Sequence, residues 1–586
     1  MSRYHANGLE SPKLPRLVTP AAWLFVQTCV AEVRSRQSLS VGAAVMTAGT
    51  PDGSELCQMI FTDRTWAAYW LGLPVHRSKQ PKGPIVVIAP EWDAGPAAHT
   101  GLPELLHQAG YRPVDDNAMD GGLPFYARFT KSGRRTIILT DLHDYYRSPM
   151  VDLAARFGPG ERRIEARLIS DDPSDAVADI ATMRAAMSAF VSWLKEIGID
   201  GLPRSQSAAA AALSRLPCYA VHRRERMSRT DDRDRLKMQR DFCQGGLLID
   251  PVQPEPGEPV YCYDMSSAYP AVAATVPLPV AGEQWTSRAC NAADLPAFLN
   301  DVAGWHFAIC DLKVPAGDPL FSSRFGRRYL CGPELAWAAE RGYVQRVNLI
   351  RTMATLGRPY RKLIADLYRR KSVSDGVDRY LAKILLNALL GRTAARGAAW
   401  GDMPSATRAE ALMYTEFLAD ESDDRAPLLI TMTEHLDTDA RCNFGKWQYR
   451  LPTRREGYYS QPGYWAALVA TQRVRLASAA RDVQDAGGKV YYGDTDSLYV
   501  DGVGSDYIRQ NLPMGPGLGC WDADPLGPDT DCEFRAARSY RWHGIDVRAG
   551  ARLDGAKPVR RGYCDLLHSR GYQSDHIEVR YEIGQD

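Results

Sequence analysis

The sequence predicts a multidomain protein that joins an α/β region to a second region of α+β character. Strand-like segments alternate with helical ones between about residues 31 and 215, which is typical of an α/β domain. After an Ala- and Ser-rich, polar connector, strands and long helices follow one another in a second block that begins near residue 216. The 586 residues, 45% of them hydrophobic, are enough for two to four domains with substantial cores.

Composition narrows the classes of function. The formal charge is +1, from 71 basic and 70 acidic residues, so a site for a polyanion must be a local basic surface. The 12 cysteines are scattered without a Cys-x-x-Cys pair, which argues against a zinc site or a disulfide framework and fits a reducing cytoplasm. The N-terminus lacks an apolar signal core, and the apolar runs are too short for a bilayer. We therefore expect a soluble protein with no membrane partner.

The first block contains the α/β pattern. A polar lead-in is followed by a predicted helix over about Ala21 to Val33, so residues 1–30 are expected to form an N-terminal extension. The pattern of apolar residues then predicts four strands and a long helix, at Val41–Met46, Leu56–Phe61, Pro84–Pro90, Arg135–Asp141 and Asp179–Gly198.

A predicted β-hairpin near residue 494 carries two carboxylates at its tip. Runs with β-branched and aromatic residues, at 489–492 and 497–500, flank the sequence Gly-Asp-Thr-Asp. Asp494 and Asp496 are two positions apart, so in extended geometry they lie on one face and could share a divalent cation. The alternative is a surface turn, which Gly and Asp favour in any protein.

A third carboxylate ends an earlier strand. The segment Val260–Asp264 is apolar and aromatic up to Asp264, and Met265–Pro270 then turns the chain. A helix cap is the alternative explanation, because Asp before Ser-Ser often caps a helix. Three carboxylates from two strands are the minimum for holding two Mg²⁺ ions beside a triphosphate, where they would assist an in-line displacement.

Two helices between these segments supply cations. The stretch 360–371 is a basic amphipathic helix that ends in Lys371, and a second helix is predicted over Val377–Gly391. In the second helix Lys383, Asn387 and Gly391 recur every four residues on one face. The apolar stripe of that helix is predicted to consist of Leu381, Ile384, Leu385 and Ala388. One interpretation is that Lys383, with Lys371, binds a triphosphate. The alternative is an ordinary polar helix face exposed to solvent.

The less regular segment 396–462 mixes basic and aromatic residues. Such residues suit a nucleic-acid groove, in which rings stack on bases and cations meet phosphates, although an ordinary surface subdomain would have the same composition.

Three motifs in this order and spacing resemble those of the family B DNA polymerases. Tyr492–Ser497 is similar to their Y-x-D-T-D-S motif, Asp264–Pro270 to D-x-x-S-L-Y-P, and Lys383–Gly391 to K-x-x-x-N-S-x-Y-G. The chain length, the loop Gly245-Gly246 and the position of Lys371 twelve residues before Lys383 look most like the protein-primed branch of phages and linear plasmids.

The resemblance implies an RNase H-like, exonuclease-type N-terminal domain followed by a right-hand polymerase with palm, fingers and thumb. The implied regions are an N-terminal extension (1–30), an inactive exonuclease-like domain (31–215), the first part of the palm with an insertion (216–354), fingers (355–395), a second insertion (396–462), the second part of the palm (463–505), and the palm end with a small thumb (506–586).

The resemblance also implies roles for individual residues. Asp264 and Asp496 would bind Mg²⁺, or Mn²⁺ in its place, with Asp494 in support. The residues implied to bind the dNTP are Lys383, Lys371, Tyr269 as a block to a 2′-hydroxyl, and Asn387. The residues implied to contact nucleic acid are Gly245, Gly246, Gly391, Tyr492, Arg538 and Tyr540, the last two resembling the K-x-Y element at the primer terminus.

The sequence departs from the family pattern at several positions. Ala388 and Leu390 replace the Ser and Tyr beside the nascent base pair, Cys243 stands where the Y-x-G-G loop has Tyr, and Arg538 replaces Lys. We expect altered fidelity or nucleotide affinity from the first two changes.

The exonuclease chemistry is expected to be lost. The first acidic motif, D-x-E, has no counterpart near Val41–Met46. The second motif reads Ala89–Asp93 and the third Asp175–Asp179, which leaves Asp93 and Asp179 as isolated acids. Two such acids do not reproduce a two-metal site.

The sequence thus predicts a DNA-directed DNA polymerase without proofreading, whose partners are a DNA template, a primer and dNTPs, in a bacterial cell or phage-infected host. One alternative is a primer-independent enzyme, or one primed by a terminal protein, in a defence or mobile-element system. Another is a non-catalytic nucleic-acid-binding protein on a polymerase scaffold. A metal-dependent nuclease is disfavoured by the missing N-terminal acids. A reverse transcriptase would more typically show adjacent aspartates in the hairpin.

Overall fold

The helices and strands are those of a computed structural model, which describes residues 22–35, 38–49, 55–61, 84–89, 111–114, 126–132, 136–142, 145–146, 150–158, 173–203, 205–214, 216, 218, 239–280, 286–288, 290–321, 326–374, 376–394, 396–400, 452–456, 461–536, 538–548 and 551–553.

The strands are β1 Ala22–Ser35, β2 Ser38–Gly49, β3 Glu55–Phe61, β4 Ile85–Ala89, β5 Arg112–Val114, β6 Tyr126–Thr130, β7 Ile137–Asp141, β8 Leu248–Ile249, β9 Tyr261–Met265, β10 Leu278–Pro279, β11 Thr286–Arg288, β12 Trp305–Leu312, β13 Gly326–Cys331, β14 Val344–Met353, β15 Leu356–Gly357, β16 Arg396–Trp400, β17 Pro452–Glu456, β18 Val490–Asp494, β19 Ser497–Val500, β20 Trp521–Ala523, β21 Glu533–Ala536, β22 Ser539–Trp542, β23 Ile545–Arg548 and β24 Ala551–Leu553.

The helices are α1 Met150–Phe157, α2 Pro173–Glu196, α3 Gln206–Leu213, α4 Ala268–Thr275, α5 Leu295–Asp301, α6 Pro333–Glu340, α7 Arg361–Val373, α8 Gly376–Ala394, α9 Pro462–Asp485 and α10 Gly502–Asn511. None of these helices combines the length and the apolar character needed to cross a bilayer.

The N-terminal α/β region is built on a seven-stranded mixed sheet of order β3-β2-β1-β4-β7-β6-β5. Its centre is parallel, because β4 pairs in parallel with both β1 and β7, and the flanking pairs are antiparallel. The predicted strands over 41–46, 56–61, 84–90 and 135–141 are all present in this sheet, and α2 contains the predicted helix.

The helix predicted over Ala21 to Val33 is wrong, because this stretch is strand β1. Its backbone pairs with β2 along most of its length and with β4 on the other side, so it is an interior strand. Interior pairing on both edges overrides the local preference of its alanines, and its Val, Thr and aromatic residues suit a sheet. The sheet therefore begins at Ala22, inside the segment 1–30 that was expected to be an extension.

The second block is organised around a five-stranded antiparallel sheet, the central sheet, of order β20-β9-β19-β18-β8. β18 and β19 form the predicted hairpin, and β9 pairs with β19 along its other edge. The long helix α9 packs against this sheet, and its buried residues Leu476, Ala480 and Val483 join the core with Leu498 and Val500.

The described part of the second block has four smaller sheets, of which one is the two-stranded pair β10-β15. An antiparallel sheet of order β11-β14-β12-β13 lies between α4 and α7 in the chain, and a β21-β22-β23-β24 sheet forms the C-terminal part. β16 and β17 pair at the two ends of the segment 396–462, whose intervening residues 401–451 lie outside the described residues.

Helices α7 and α8 form a helical hairpin beside the central sheet. In α8 the buried face is wider than the predicted stripe: Leu381 and Leu385 are buried as expected, whereas Ile384 and Ala388 are half-buried. The further buried residues are Ala382, Leu386, Leu389, Leu390 and Thr393. Lys383, Asn387 and Gly391 lie on the exposed face, as predicted.

The helical hairpin packs on the N-terminal region as well as on α9. The ring of Tyr380 stacks on that of Tyr146, with 6.1 Å between centroids and 2° between planes, and the Arg156 guanidinium lies 4.6 Å from the Tyr380 ring. Residues from α2, α3, α8 and α9 share one buried core. The N-terminal region therefore supports the hairpin through a continuous apolar contact.

A buried ion pair fixes α6 to α9. Arg473 Nε lies 2.6 Å from Glu334 Oε1, and the side chains are only 13% and 2% exposed. Burial raises the pKa of Glu334, and the Arg473 charge opposes that rise. Arg473 also donates to the backbone carbonyl of Gly245, at 3.2 Å.

We predict that Arg473→Met lowers the free energy of unfolding by about 3–5 kcal/mol, because it leaves the Glu334 carboxylate buried without its cation. The double substitution Glu334→Met with Arg473→Met should recover at least half of that loss. Arg481→Met is the matched control, because Arg481 on the same helix pairs with Asp485 in solvent, and it should cost within about 0.5 kcal/mol. Chemical denaturation measures all three, and equal losses in Arg473→Met and Arg481→Met would contradict the prediction.

Candidate active site

Strand pairing brings two of the predicted carboxylates, Asp264 and Asp494, into one row across the central sheet. Asp264 of β9 lies opposite Ser497 of β19, which lies opposite Asp494 of β18. On its other side, Asp264 lies opposite Asp522 of β20. Because directly opposed residues of antiparallel strands project to the same face, these side chains share one face of the sheet.

The tip of the β18–β19 hairpin is a two-residue turn, Thr495-Asp496. Thr495 has φ 61°, which is uncommon for a β-branched residue and costs about 1–3 kcal/mol unless its surroundings hold it. Several contacts hold it here: its N–H donates to the Leu247 carbonyl at 2.7 Å, and its own carbonyl accepts from Gln472 Nε2 at 3.2 Å. Gly246 packs so closely that a Cβ there would lie 2.4 Å from Thr495 Oγ1.

Asp264 and Asp496 are the carboxyl groups of the site whose pKa values are raised. Burial, and then the charges of Asp524 and Asp522, raise the pKa of Asp264 to about 6, although Asp264 itself reaches solvent. Burial, and then the charges of Asp264 and Asp494, raise the pKa of Asp496 to about 6. Within the part of the chain that the structure describes, neither carboxylate accepts a hydrogen bond from another residue. Their oxygens therefore remain available to a ligand.

Asp494 is held by its neighbours instead. Thr495 Oγ1 donates to Asp494 Oδ1 at 2.8 Å, and Tyr492 donates to Asp494 Oδ2 at 3.4 Å. Arg538 Nε lies 3.4 Å from the same Oδ2. These three partners suit the supporting role that the resemblance implied, because they fix the carboxylate and neutralise part of its charge.

The helical hairpin places one lysine beside the carboxylates and a second lysine near the first. The charge of Lys383 on α8 lowers the pKa of both Asp264 and Asp496 against the larger effects that raise it. Lys371 at the end of α7 donates to Ser267 Oγ at 2.9 Å. Burial, and then the charges of Lys383 and Arg379, lower the pKa of Lys371. The two ammonium groups thus form a cationic side to the site.

Tyr269, on the first turn of α4, lies at the edge of this site. Its ring stacks on that of Trp465 of α9, with 5.7 Å between centroids and 29° between planes. Burial raises its pKa to about 12, with a further contribution from the Asp496 charge. Trp465 fixes the ring in place, and the sequence patterns did not single it out.

The residues expected to contact nucleic acid divide into exposed and buried groups. Gly391 lies on an exposed helix face with open space at its Cβ position. Tyr492 is 0% exposed, which does not agree with a direct contact; its hydroxyl instead accepts from the Arg538 N–H at 2.8 Å. Tyr540 packs beside it, with 5.5 Å between ring centroids, in an aromatic cluster.

The other expected residues also differ in exposure and contacts. Gly245 accepts a hydrogen bond from Arg473 and Gly246 packs against Thr495, so this loop supports the hairpin tip. The side chain of Asn387 is exposed on α8. Leu390, expected to lie beside the nascent base pair, is buried in the core instead.

Sequence patterns missed several residues around the site. Asp522 and Asp524 alternate along β20 and just beyond it, a spacing that matches Asp494 and Asp496 and could have been noticed. Asp524 accepts from Trp542 Nε1 at 2.8 Å, so it is partly engaged. The sequence around Gln472 and Tyr368 has no pattern that would indicate their position near the site.

The donor set fits a divalent cation such as Mg²⁺. Asp264 and Asp496 are hard-oxygen donors without internal hydrogen-bond partners, and a cation bound by them would offset the burial and the neighbouring negative charges that raise their pKa values. Among the described residues, no three acidic, His or Cys side chains converge closely enough to chelate one ion.

The N-terminal region shows no comparable constellation in its described part. The segment Val41–Met46, expected to be the early strand that lacks D-x-E, lies in β2. The first strand is β1, and it contains Glu32 as its sole acidic residue and no D-x-E. Asp93 lies outside the described residues, and Asp179 is 4% exposed on α2.

The fold matches that of known polymerases. No family model matches the chain, and no curated protein sequence matches it significantly. Among solved structures, Phi29 DNA polymerase complexed with single-stranded DNA matches 92% of this chain and 90% of its own at 15% identity, with a TM-score of 0.60. Its complex with primer-template DNA and incoming nucleotide substrates matches 92% and 93% at 13% identity, with a TM-score of 0.62.

The match spans both the N-terminal sheet and the central sheet, because nine tenths of each chain is covered. The chain therefore has the multidomain fold of Phi29 DNA polymerase.

Proposed function

We propose that this chain is a DNA-directed DNA polymerase that adds deoxynucleotidyl units to a primer 3′-hydroxyl. The observation that carries the proposal is the pair Asp264 and Asp496, two carboxylates without internal hydrogen-bond partners, opposite the ammonium groups of Lys383 and Lys371. Anionic groups that bind metal ions, set against cations that bind phosphates, suit a nucleoside triphosphate. The solved complexes of Phi29 DNA polymerase with primer-template DNA support DNA as the partner.

The reaction is an in-line displacement, in which the primer 3′-oxygen bonds to the α-phosphorus and pyrophosphate leaves. Two Mg²⁺ ions, or Mn²⁺ in their place, held by Asp264 and Asp496, would supply charge neutralisation and lower the pKa of the 3′-hydroxyl. Asp494 keeps the hairpin tip in position through its contacts with Thr495 and Arg538.

The cationic side of the site takes the charge that develops on the leaving group. Lys383 and Lys371 bind the β- and γ-phosphates, and a fixed cation stabilises the pyrophosphate as it leaves. Lys371 must exchange its hydrogen bond with Ser267 for a phosphate oxygen. Asn387 and Gly391, on the exposed face of α8, are proposed to face the base pair and template.

The primer end is proposed to lie near Arg538 and Tyr540. The Arg538 side chain is 47% exposed and pairs with Asp494. A primer phosphate could take one edge of its guanidinium while the other edge stays on the carboxylate, since Arg presents five donors.

A primer-independent or protein-primed start remains the alternative mode for the same site. The fold shared with Phi29 DNA polymerase, of the protein-primed branch, favours it. A non-catalytic DNA-binding role is disfavoured, because a binding scaffold has no need of two mutually repelling carboxylates held open to a ligand.

We predict that Asp264→Asn and Asp496→Asn each slow extension of a labelled primer by about 10²-fold or more, because each removes a ligand charge from the reacting centre. EDTA should stop the wild-type reaction. Asp485→Asn, an exposed acid on α9, is the control and should extend normally. Primer extension in dNTPs with Mg²⁺ or Mn²⁺, and a second assay without primer, are the measurements. A wild-type protein that binds DNA but incorporates nothing in either assay would favour the binding role.

We predict that Tyr269→Val raises incorporation of ribonucleotides relative to deoxynucleotides by about tenfold or more, because it removes the ring beneath the sugar. Tyr269→Phe keeps the ring and its stacking on Trp465, so it should discriminate like the wild type. Single-nucleotide kcat/KM values for matched dNTP and rNTP pairs test this. An unchanged ratio in Tyr269→Val would show that the ring does not exclude the 2′-hydroxyl.

We predict that the protein does not shorten a 5′-labelled single strand in Mg²⁺ without dNTPs, since β1 lacks the first acidic motif. The same assay with Asp264→Asn controls for removal of nucleotides by the reverse of the polymerase reaction. Trimming that survives in Asp264→Asn and disappears in Asp93→Ala would overturn the loss of proofreading.

A further inference from the structure

A tyrosine of the helical hairpin joins two segments of the central-sheet region. The hydroxyl groups of Tyr368 and Ser266 lie 3.2 Å apart, and the Tyr368 hydroxyl donates to the backbone carbonyl of Pro516. A carbonyl can only accept, and one O–H donates once, so the Ser266 hydroxyl must donate to the Tyr368 oxygen. The hydrogen bonds therefore run in one direction, from Ser266 through Tyr368 to Pro516.

Both ends of this chain of hydrogen bonds belong to one fixed unit. The Ser266 N–H donates to the Cys520 carbonyl at 2.8 Å, and the Gly519 N–H donates to the Ser266 carbonyl at 2.7 Å. Arg475 of α9 holds the same loop through the Gly519 carbonyl, at 3.4 Å. Since these bonds tie the loop 513–520 to the turn after Asp264, Tyr368 connects the helical hairpin to a rigid support.

Tyr368 also lies one helical turn before Lys371, on the same face of α7. The Lys371 ammonium lies 5.2 Å from the centre of the Tyr368 ring, and it donates to Ser267, the residue after Ser266. The position of Tyr368 thus determines where Lys371 stands relative to the turn that carries Asp264.

We propose that the Tyr368 hydroxyl is a latch that holds α7 on the turn after Asp264, and thereby positions Lys371 for the triphosphate of the incoming nucleotide. Tyr368 is a positioning residue, because its hydroxyl contacts Ser266 and Pro516 and not the reacting atoms. The inference rests on the proposed function and deepens it by naming a determinant of nucleotide affinity.

The latch acts on binding of the nucleotide more than on the chemical step. When a triphosphate arrives, Lys371 leaves Ser267, and the Tyr368 contacts then keep α7 in place on the central-sheet side. Loss of the latch would let α7 move away with its lysine, at an added cost in nucleotide affinity. The carboxylates and the primer 3′-hydroxyl would keep their geometry, so kcat would change little.

The test is Tyr368→Phe, which keeps the ring and removes the hydroxyl. One net hydrogen bond corresponds to a rise of about threefold to tenfold in the KM for dNTP, with kcat within about twofold of wild type. Tyr343→Phe is the matched control, because the Tyr343 hydroxyl donates to Asp318 in another part of the fold. It should lower thermal stability without raising KM.

A double-mutant cycle with Ser266→Ala tests the direction of the hydrogen bonds. If Ser266 acts through Tyr368, the double variant should have the KM of Tyr368→Phe alone. Independent, additive increases would overturn the chain of hydrogen bonds. An unchanged KM in Tyr368→Phe, or an equal rise in Tyr343→Phe, would overturn the latch.

A binding measurement separates this inference from the proposed function. Nucleotide is titrated into the complex of protein, template and a primer that ends in a 3′-dideoxynucleotide, and protection of the helical hairpin from proteolysis is followed. Tyr368→Phe should need about threefold to tenfold more dNTP for the same protection. If the wild-type protein neither binds dNTP nor extends a primer, both the proposed function and the latch are overturned. If wild type and Tyr368→Phe both extend a primer normally with the same dependence on dNTP concentration, the latch is overturned and the proposed function stands.

Discussion

The negative charge gathered around Asp264 and Asp496 is the constraint on which the rest of the site depends. Pairing of β9 with β19 brings the two carboxylates together. Burial, with the charges of Asp524 and Asp522, raises the pKa of Asp264 to about 6, and burial, with the charges of Asp264 and Asp494, raises that of Asp496 to about 6. A protein that only had to fold would gain from removing one of them. The surrounding structure instead compensates the charge from outside, with Lys383 and Lys371 on the helical hairpin and Arg538 on Asp494.

The supports of the site are mostly backbone and buried groups rather than charges. The hairpin tip is held by the carbonyl of Leu247, by Gln472 and by the close packing of Gly246 on Thr495. Tyr492 contributes its ring to a buried aromatic cluster and its hydroxyl to Asp494 and to the Arg538 backbone. Such contacts keep Thr495 in a conformation that a free turn would rarely adopt, and so fix Asp496 beside Asp264.

The N-terminal region gives the helical hairpin a second support. Its helices α2 and α3 share a buried core with α8, and the Tyr146 and Tyr380 rings stack across the contact. The N-terminal region is needed for this contact, since its removal would expose the apolar face of α8 to water.

The sequence by itself determined the elements whose signals are local. The Gly-Asp-Thr-Asp hairpin, the strand ending near Asp264 and the helix that exposes Lys383, Asn387 and Gly391 all follow from periodicity and turn chemistry within about ten to twenty residues. The tertiary structure alone decided the contacts between distant segments. These are Asp522 opposite Asp264, Arg538 on Asp494, the burial of Tyr492 and the contact of Tyr368 with Pro516. It also made β1 a strand, because strand register and pairing on two edges depend on partners that no local window contains.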